Sequence, residues 1–315
     1  MTGTTPGGRV LVAGSANVDF VVRAPHIPAP GETVLGGDLS VVPGGKGANQ
    51  AVAAARAGGA DTAMLLALGD DPSAGVLEDS LRAAGVSLHV VRASRPTGAA
   101  LITVSDGAEN AITVAQGANG ELAPEHLPSL EGVSWLLLQL ETPIASVIAY
   151  ARAARVAGVG VMLNAAPAQP LPAELLALVD LLVVNEEELA AITGKQGSIA
   201  ERVARTGVAT TVVTLGERGC CAADHGTLIS QAAFSVAATD TTAAGDTFCG
   251  VLGAALAGGT DLLGALRRAA AAAALSATRA GAQTSIPTAA EVAAFLADAA
   301  EADARTLAAY CGISE

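Results

Sequence analysis

Aromatic side chains are almost missing from this 315-residue sequence: tryptophan, tyrosine and phenylalanine together make up 2% of it. Proteins that hold nucleic-acid bases by stacking need rings in series, so that mode of binding is excluded. Basic residues are few as well. Seventeen Lys and Arg stand against thirty Asp and Glu, a formal charge of −13, which argues against nucleic acid and anionic membranes as partners. No apolar run reaches the roughly 18 residues of a membrane span; the nearest, 269–275, is far too short. The stretch before Gly14 holds one basic residue and too short an apolar run for a signal peptide. Four cysteines, Cys220, Cys221, Cys249 and Cys311, form no C-x-x-C pair, so reduced core thiols are expected rather than a zinc site or a disulfide framework. Together these absences predict a cytoplasmic protein.

What is abundant is small and aliphatic. Of the sequence 51% is apolar, mostly Ala, Val and Leu, enough for one large α/β domain or two small ones with a sizeable core. Short apolar runs at 10–13, 63–68, 135–140, 160–163, 181–184 and 211–215 read as strands. Helical periodicity covers 48–57, 73–84, 144–157, 186–192, 244–256, 262–278 and 289–302. Buried strands alternating with helices predict a mostly parallel sheet covered on both faces. Two segments break this rhythm. Residues 19–42 carry Pro25, Pro28 and Pro30 between β-rich pieces, and 98–114 alternates around the turn Ser105-Asp106-Gly107. Both read as antiparallel excursions from the body, either a mobile cover over a site or ordinary hairpins. The end of the chain is weakly patterned and expected at the periphery.

Three motifs carry possible chemistry. In "PGGKGANQ" (43–50), Gly44, Gly45 and Gly47 let the backbone approach a ligand closely at a helix N-terminus. It is not a Walker A loop, because Gly47 follows Lys46 where Ser or Thr is required, and no G-x-G-x-x-G joins a strand to a helix. Lys46 and Asn49 suit hydrogen bonding to hydroxyls; alternatively they complete a glycine-rich helix entry. In "GSANVDF" (14–20), Asn17 and Asp19 lie two apart and share one side of an extended stretch. They follow the first strand, where open α/β sheets bind ligands. An amide and a carboxylate there fit two adjacent sugar hydroxyls, or else end the strand in an Asx turn.

The third, "DTTAAGDTFCG" (240–250), opens a helix. An aspartate there is ordinarily a cap, but the small residues Ala243, Ala244 and Gly245 also leave the first backbone N–H groups open to an anion. A transferring phosphoryl group spreads charge over its oxygens, so such a pocket stabilises its transition state. Asp246 then stands where a general base would take the proton of an attacking hydroxyl. Other tempting features carry less. His26, His89, His126 and His225 show no metal spacing, no G-x-S-x-G elbow is present, and Glu186-Glu187-Glu188 is in part a solvated first helical turn.

"GGKGAN" and "DTTAAGD", about 200 residues apart, resemble the two signature motifs of the ribokinase (PfkB) family of carbohydrate kinases. The resemblance runs from about Arg9 to Leu296 through "GSANVD", "PGET", "PTGAALITV", "AENAI", "QLETP", "LNAAPA", "NEEEL", "TLGERG" and "TRAGAQTSIP". It implies a three-layer α/β/α kinase domain over 5–300, a small β-sheet lid from about 18–42 and 97–116, and a tail at 301–315. It implies ATP-dependent phosphorylation of D-ribose to D-ribose 5-phosphate with Mg²⁺, and a homodimer formed through the lid.

Position by position, the resemblance assigns the sugar to Asn17, Asp19, Gly45, Lys46 and Asn49, with Glu109 closing on it from the lid. Asp246 is the base, and the backbone of Ala243, Ala244 and Gly245 the anion hole. Asn185 and Glu188 match the N-x-x-E element that organises Mg²⁺ and phosphate, and Thr214, Gly216 and Gly219 the nucleotide loop. Asp240, Thr242, Ser276, Arg279, Gly281 and Ser285 match loops that enclose a potassium ion, several through backbone carbonyls. The sequence departs from the pattern at Ala108, Ala165, Cys249 and Ala269, the last where relatives place Asn or His near the nucleotide. Deoxyribose, fructose or a nucleoside as acceptor keeps the same chemistry. A sugar-binding protein without catalysis would be expected to lose the base or the anion hole.

Overall fold

The computed structural model describes residues 8–107, 109–299 and 305–312. Ala108 and parts of both termini, including the ends of the 5–300 domain, of the 289–302 helix and of the 301–315 tail, lie outside the described residues. The described strands are Arg9–Ala13 (β1), Asn17–Ala24 (β2), Ser40–Gly44 (β3), Thr62–Leu68 (β4), Ser87–Arg92 (β5), Gly98–Ser105 (β6), Asn110–Ala115 (β7), Val133–Leu138 (β8), Gly160–Asn164 (β9), Leu181–Asn185 (β10), Thr210–Thr214 (β11), Gly219–Asp224 (β12) and Thr227–Ala232 (β13). The α-helices are Lys46–Val52 (α1), Pro72–Ala83 (α2), Ile144–Ala157 (α3), Ala173–Leu176 (α4), Glu186–Thr193 (α5), Ile199–Ala204 (α6), Ala244–Ala257 (α7), Leu262–Ala277 (α8), Ala289–Asp298 (α9) and Arg305–Cys311 (α10). A π-helical turn, Ala53–Ala57, continues α1.

Nine strands form one sheet in the order β13-β12-β11-β10-β9-β8-β1-β4-β5. Seven of them run parallel, and β12 and β13 add an antiparallel edge. From β1 the chain builds outward to β4 and β5, then returns to the other side of β1 with β8. The sheet therefore has a topological switch point between β1 and β8, and ligands bind beyond the carboxyl ends of such strands.

Strand side chains alternate between two cores. Val10, Val12, Met64, Leu66, Leu137 and Val183 pack with α1, α2, α7, α8 and α9, while Leu11, Ala13, Leu65, Leu136, Leu138 and Val184 pack with α3, α5, α6 and α10. Both faces of the sheet are thus covered, which makes the three-layer α/β/α architecture. Local chemistry sets the helix limits. Asp71 caps α2 by accepting from the Ala74 N–H at 3.2 Å, with Pro72 at the first helical position. Gly158, at φ 72°, ends α3.

The second sheet, in the order β3-β2-β6-β7, is the small lid-like sheet. Its outer pairs, β2–β3 and β6–β7, are antiparallel, but β2 and β6 run parallel along eight residue pairs. The expectation of purely antiparallel excursions is corrected accordingly: the segments meet each other across about 75 residues of intervening sequence, not only within themselves. The sheet is joined directly to the body, since β2 starts three residues after β1 and β3 leads straight into α1.

Three strands of the large sheet escape a reading by periodicity: β5 is half exposed at an edge, and β12 and β13 mix polar and apolar residues on a hairpin. β7, which lies in the alternating 98–114 segment, is exposed along its whole length. Helix α10, within the tail, is not peripheral either. Leu307 and Cys311 of α10 are 5% and 1% exposed within the second core; two anchors in one short helix are too few to register as a pattern. All four cysteines are buried free thiols, and Cys249 and Ala165 are ordinary core residues.

Candidate active site

Three connections converge at the switch point. The loop after β1 supplies Ser15, the entry to α1 supplies Lys46, and the loop after β8 supplies Glu141. Ser15 Oγ donates to Glu141 Oε2 at 2.6 Å, the Lys46 backbone N–H donates to the same oxygen at 3.2 Å, and the Gly47 N–H donates to Ser15 Oγ at 3.2 Å. The glycines make this convergence possible. Gly45 sits at φ 90°, and a Cβ there would lie 2.7 Å from the Asn17 nitrogen. A Cβ on Gly44 would lie 2.1 Å from Asp19 Oδ2.

Asn17 and Asp19 of β2 are both buried on this side. Asn119 orients the first: its Nδ2 donates to Asn17 Oδ1 at 2.8 Å, and its Oδ1 accepts from the Ala16 N–H at 2.9 Å. Burial, then the charges of Glu141 and Asp246, push the Asp19 carboxyl up to about 7. Lys46 is shifted upward too, chiefly by the charge of Asp246, against the opposing effect of burial and with help from Glu141 and Glu188. One ammonium thus stands among three carboxylates.

Asp246 lies in the first turn of α7 and is 9% exposed. Asn49 Nδ2 donates to its Oδ2 at 3.0 Å, and Gln50 Nε2 to its Oδ1 at 3.1 Å. The side-chain oxygen of Asn49, Oδ1, is buried without a hydrogen-bond partner. Ala243, which precedes α7, adopts φ 59°. A left-handed conformation costs a non-glycine residue about 1–3 kcal/mol, and no side chain caps the helix here. The Ala244 N–H donates to the Thr241 carbonyl at 3.2 Å, and the next two, of Gly245 and Asp246, have no carbonyl a turn earlier in the helix to bond.

Two cavities meet at this point. The smaller, about 240 Å³, is lined by Lys46, Asn164, Asn185, Glu188, Asp246 and the backbone of Ala243 and Gly245 among others. The larger, about 630 Å³, extends over Thr214, Gly216, Gly219, Phe234, Phe248 and the α8 residues Ala270, Ala273, Ala274 and Ala277. They share Thr214, Thr241 and Gly245. Asn185 and Glu188 bond reciprocally: each side chain accepts from the other's backbone N–H at 2.8 Å. Burial raises the Glu188 carboxyl; its bond to Asn185 and the nearby Lys46 oppose that. Ala269 does not line the larger cavity as expected. It is fully buried in the core, and α8 turns positions 270, 273, 274 and 277 toward the opening. At the rim, Arg218 pairs with Glu186 at 2.9 Å and lies 4.3 Å from the ring centroid of Tyr310 on α10.

The candidate cation loops also come together. Asp240 accepts from the Thr242 and Gly281 N–H groups, each at 2.9 Å. Although partial burial acts the other way, these bonds hold its carboxyl below the ordinary range. Ser276 and Ser285 are fully buried with their hydroxyl oxygens 2.8 Å apart. The Arg279 side chain is turned to Glu291 at 2.7 Å, so only its backbone is available to an ion. Among the described residues no group of three or more His, Cys, Asp or Glu could hold a metal ion. Any cation here would be held by a carboxylate and backbone oxygens, a donor set suited to hard cations.

Of the residues singled out in the sequence, Glu109 stands apart. It is exposed at the β6–β7 turn, where its N–H bonds Ser105 Oγ; Asn17, Asp19, Gly45 and Asn49 line neither cavity either, but of these Asn17, Asp19 and Asn49 are buried. Conversely, Ser15, Gln50, Asn119, Gln139, Glu141 and Asn164 belong to the site and were given no role. "QLETP" and "LNAAPA" contain three of them, but nothing in those strings shows that they meet.

Gly-rich α1 entry, the buried Asp246 carboxylate and twin cavities at the switch point describe a phosphoryl-transferring enzyme of the sugar-kinase type. The profile of the pfkB family carbohydrate kinases matches residues 8–289, and the chain belongs to that family. Ribokinase of Haemophilus influenzae is 39% identical to it over 300 residues, 91% of this chain and 98% of that protein. The crystal structure of ribokinase from Thermotoga maritima superposes with a TM-score of 0.87 at 35% identity, covering 92% of this chain and all of that one. Arabidopsis thaliana ribokinase complexed with ribose and ATP gives a TM-score of 0.84 at 31% identity, over 92% and 99% of the chains.

Proposed function

We propose that this protein is a ribokinase: it transfers the γ-phosphoryl group of ATP to the 5-hydroxyl of D-ribose. The carrying observation is the position of Asp246, a buried carboxylate on the first turn of α7 where the two cavities join. Asn17, Asp19, Gly45, Lys46 and Asn49 hold the sugar. Asp246 takes the proton of the attacking hydroxyl as its oxygen bonds to phosphorus. The bond from phosphorus to the ADP oxygen breaks, and ADP leaves with the negative charge. The backbone of Ala243, Ala244 and Gly245 faces the phosphoryl oxygens. The nucleotide lies along the larger cavity, on Thr214, Gly216 and Gly219.

Asp19, Glu141, Glu188 and Asp246 outnumber the Lys46 cation, so a polyphosphate needs further positive charge. Mg²⁺, when bound, neutralises the phosphate oxygens, and Asn185 and Glu188 are the residues to hold it. A monovalent cation, K⁺ in this reading, would be held by the Asp240 loop and by backbone carbonyls near Ser276 and Ser285, and would act on the shape of the anion hole rather than on the substrate. The small sheet, carrying Glu109 at its tip, serves as the lid. Leu101 and Ile112 of that sheet are 57% and 54% exposed, which favours pairing with a second copy. Four reduced thiols accord with the cytoplasm.

The test is ADP formation from ATP and Mg²⁺ with D-ribose, deoxyribose, fructose and a nucleoside, each with K⁺ or Na⁺. Ribose-dependent ADP that rises with K⁺ is the expected result. Preference for another acceptor would keep the kinase and replace its substrate.

A further inference from the structure

We propose that Gln50 is a positioning residue for the Asp246 carboxylate, itself held by Gln139; this rests on Asp246 being the base. Gln50 lies on α1 and is fully buried. Its Nε2 donates to Asp246 Oδ1 and to Asn164 Oδ1, both at 3.1 Å, so both amide protons are used. Its Oε1 accepts from Gln139 Nε2 at 2.7 Å. The direction of this chain is forced. A carboxylate oxygen only accepts, so Gln50 presents its nitrogen to Asp246 and its oxygen to Gln139. Asn164 is aligned from behind, its Nδ2 donating to the Val183 carbonyl at 3.4 Å.

With Asn49 donating to Oδ2, each carboxylate oxygen of Asp246 is bonded to a different amide of α1. Turning the carboxylate would break both bonds. Two glycines reserve the space. A Cβ on Gly14 would lie 1.9 Å from Gln139 Oε1, and one on Gly250 would lie 2.4 Å from the Gln50 carbonyl oxygen, so α1 and α7 approach closely. The arrangement is not optimal for stability. Gln139 Oε1 is buried without a partner, and apolar packing would avoid that desolvation. Orientation of the base is what the three amides supply.

The experiment compares Gln50→Met, Gln50→Glu and Gln139→Met with wild type and Asp246→Asn, using kcat and KM for sugar and ATP, the pH profile of kcat, and thermal melting. Removing an N–H donor from a carboxylate favours its protonated form, so the acid limb of kcat moves to higher pH in Gln50→Met. It moves further in Gln50→Glu, which adds a like charge. Lys46, Asp19, Glu188 and the Cys249 thiol, which also act on Asp246 or are acted on by it, stay in place. In Gln50→Met kcat falls about 10–100-fold while both KM values stay within about threefold. Gln139→Met, which does not touch Asp246, gives a smaller loss of the same kind. A merely structural role lowers the melting temperature and leaves the acid limb unmoved, which overturns the proposal; so does a loss confined to sugar KM. Turnover in Asp246→Asn, or an inactive wild type, overturns the parent assignment and this one with it.

Discussion

Asp246 and Asp19 are both buried carboxylates on the same site, yet their surroundings ask different things of them. Asp246 receives two amide donors, which suits a group that must be ionised and correctly turned. Asp246→Asn keeps the shape and removes the base; kcat is expected to fall about 10²–10⁴-fold, with sugar binding retained by calorimetry. Retained turnover would overturn the assignment. Asp19 is instead raised from 3.8 to about 7, by burial and then by Glu141 and Asp246. Its folded value lies above its unfolded one. The stability it contributes is therefore complete below pH 3.8 and is lost as pH rises through 7. Melting temperature should fall more steeply between pH 5 and 8 in wild type than in Asp19→Asn. Sugar hydroxyls donate to the ionised carboxylate, so sugar KM in wild type should fall as pH rises through 7, and this dependence should vanish in Asp19→Asn.

At the scale of elements, the site depends on how closely α1 and α7 approach. Gly250 faces the Gln50 carbonyl, Ala53 and Ala54, all within 2.9 Å of where its Cβ would be. Gly250→Ala must push the helices apart, and overpacking of this kind costs about 1–3 kcal/mol. The displacement would also lengthen the amide bonds from Asn49 and Gln50 to Asp246, so kcat should drop even where the variant melts only a few degrees early. Unchanged kcat would show that the helix contact is not transmitted to the base. The element pattern was largely legible in sequence, since buried strands and apolar helix faces impose their own periods. The edge strands β5 and β13 were not, because half-exposed strands carry no continuous apolar run, and β12 beside β13 went with them. Gln50, Gln139 and Asn164 stood in quoted motifs, but their meeting depends on α1, β8 and β9 ending at one place.

For the whole molecule, the small sheet is the part least explained by a single copy. Leu101 and Val41 are exposed, as are Ile112 and Val114. In register, Val41, Phe20 and Leu101 lie across from one another on neighbouring strands, whereas Ile112 faces Ile102 one residue out of phase. Successive strand residues point to opposite faces, so apolar surface is open on both sides of the sheet. Leu101→Asp is expected to convert a dimer to a monomer in light scattering and to raise sugar KM, because the lid loses its support. A wild type that is already monomeric, or a variant whose mass is unchanged, would overturn the dimer through this face.

The sequence by itself determined the fold class and the positions of the two motifs, and put forward Asp246 as the base, because these depend on periodicity and on residue types at fixed local spacing. Tertiary structure alone decided which amides hold Asp246, that Glu141 joins Ser15 and the entry to α1, that α8 turns Ala270 rather than Ala269 to the larger cavity, and that β2 pairs in parallel with β6. The reason is physical. Hydrogen bonds and Coulomb forces act across a few ångströms of space, and residues 50, 139, 164 and 246 become neighbours only when the strands on both sides of the switch point are assembled.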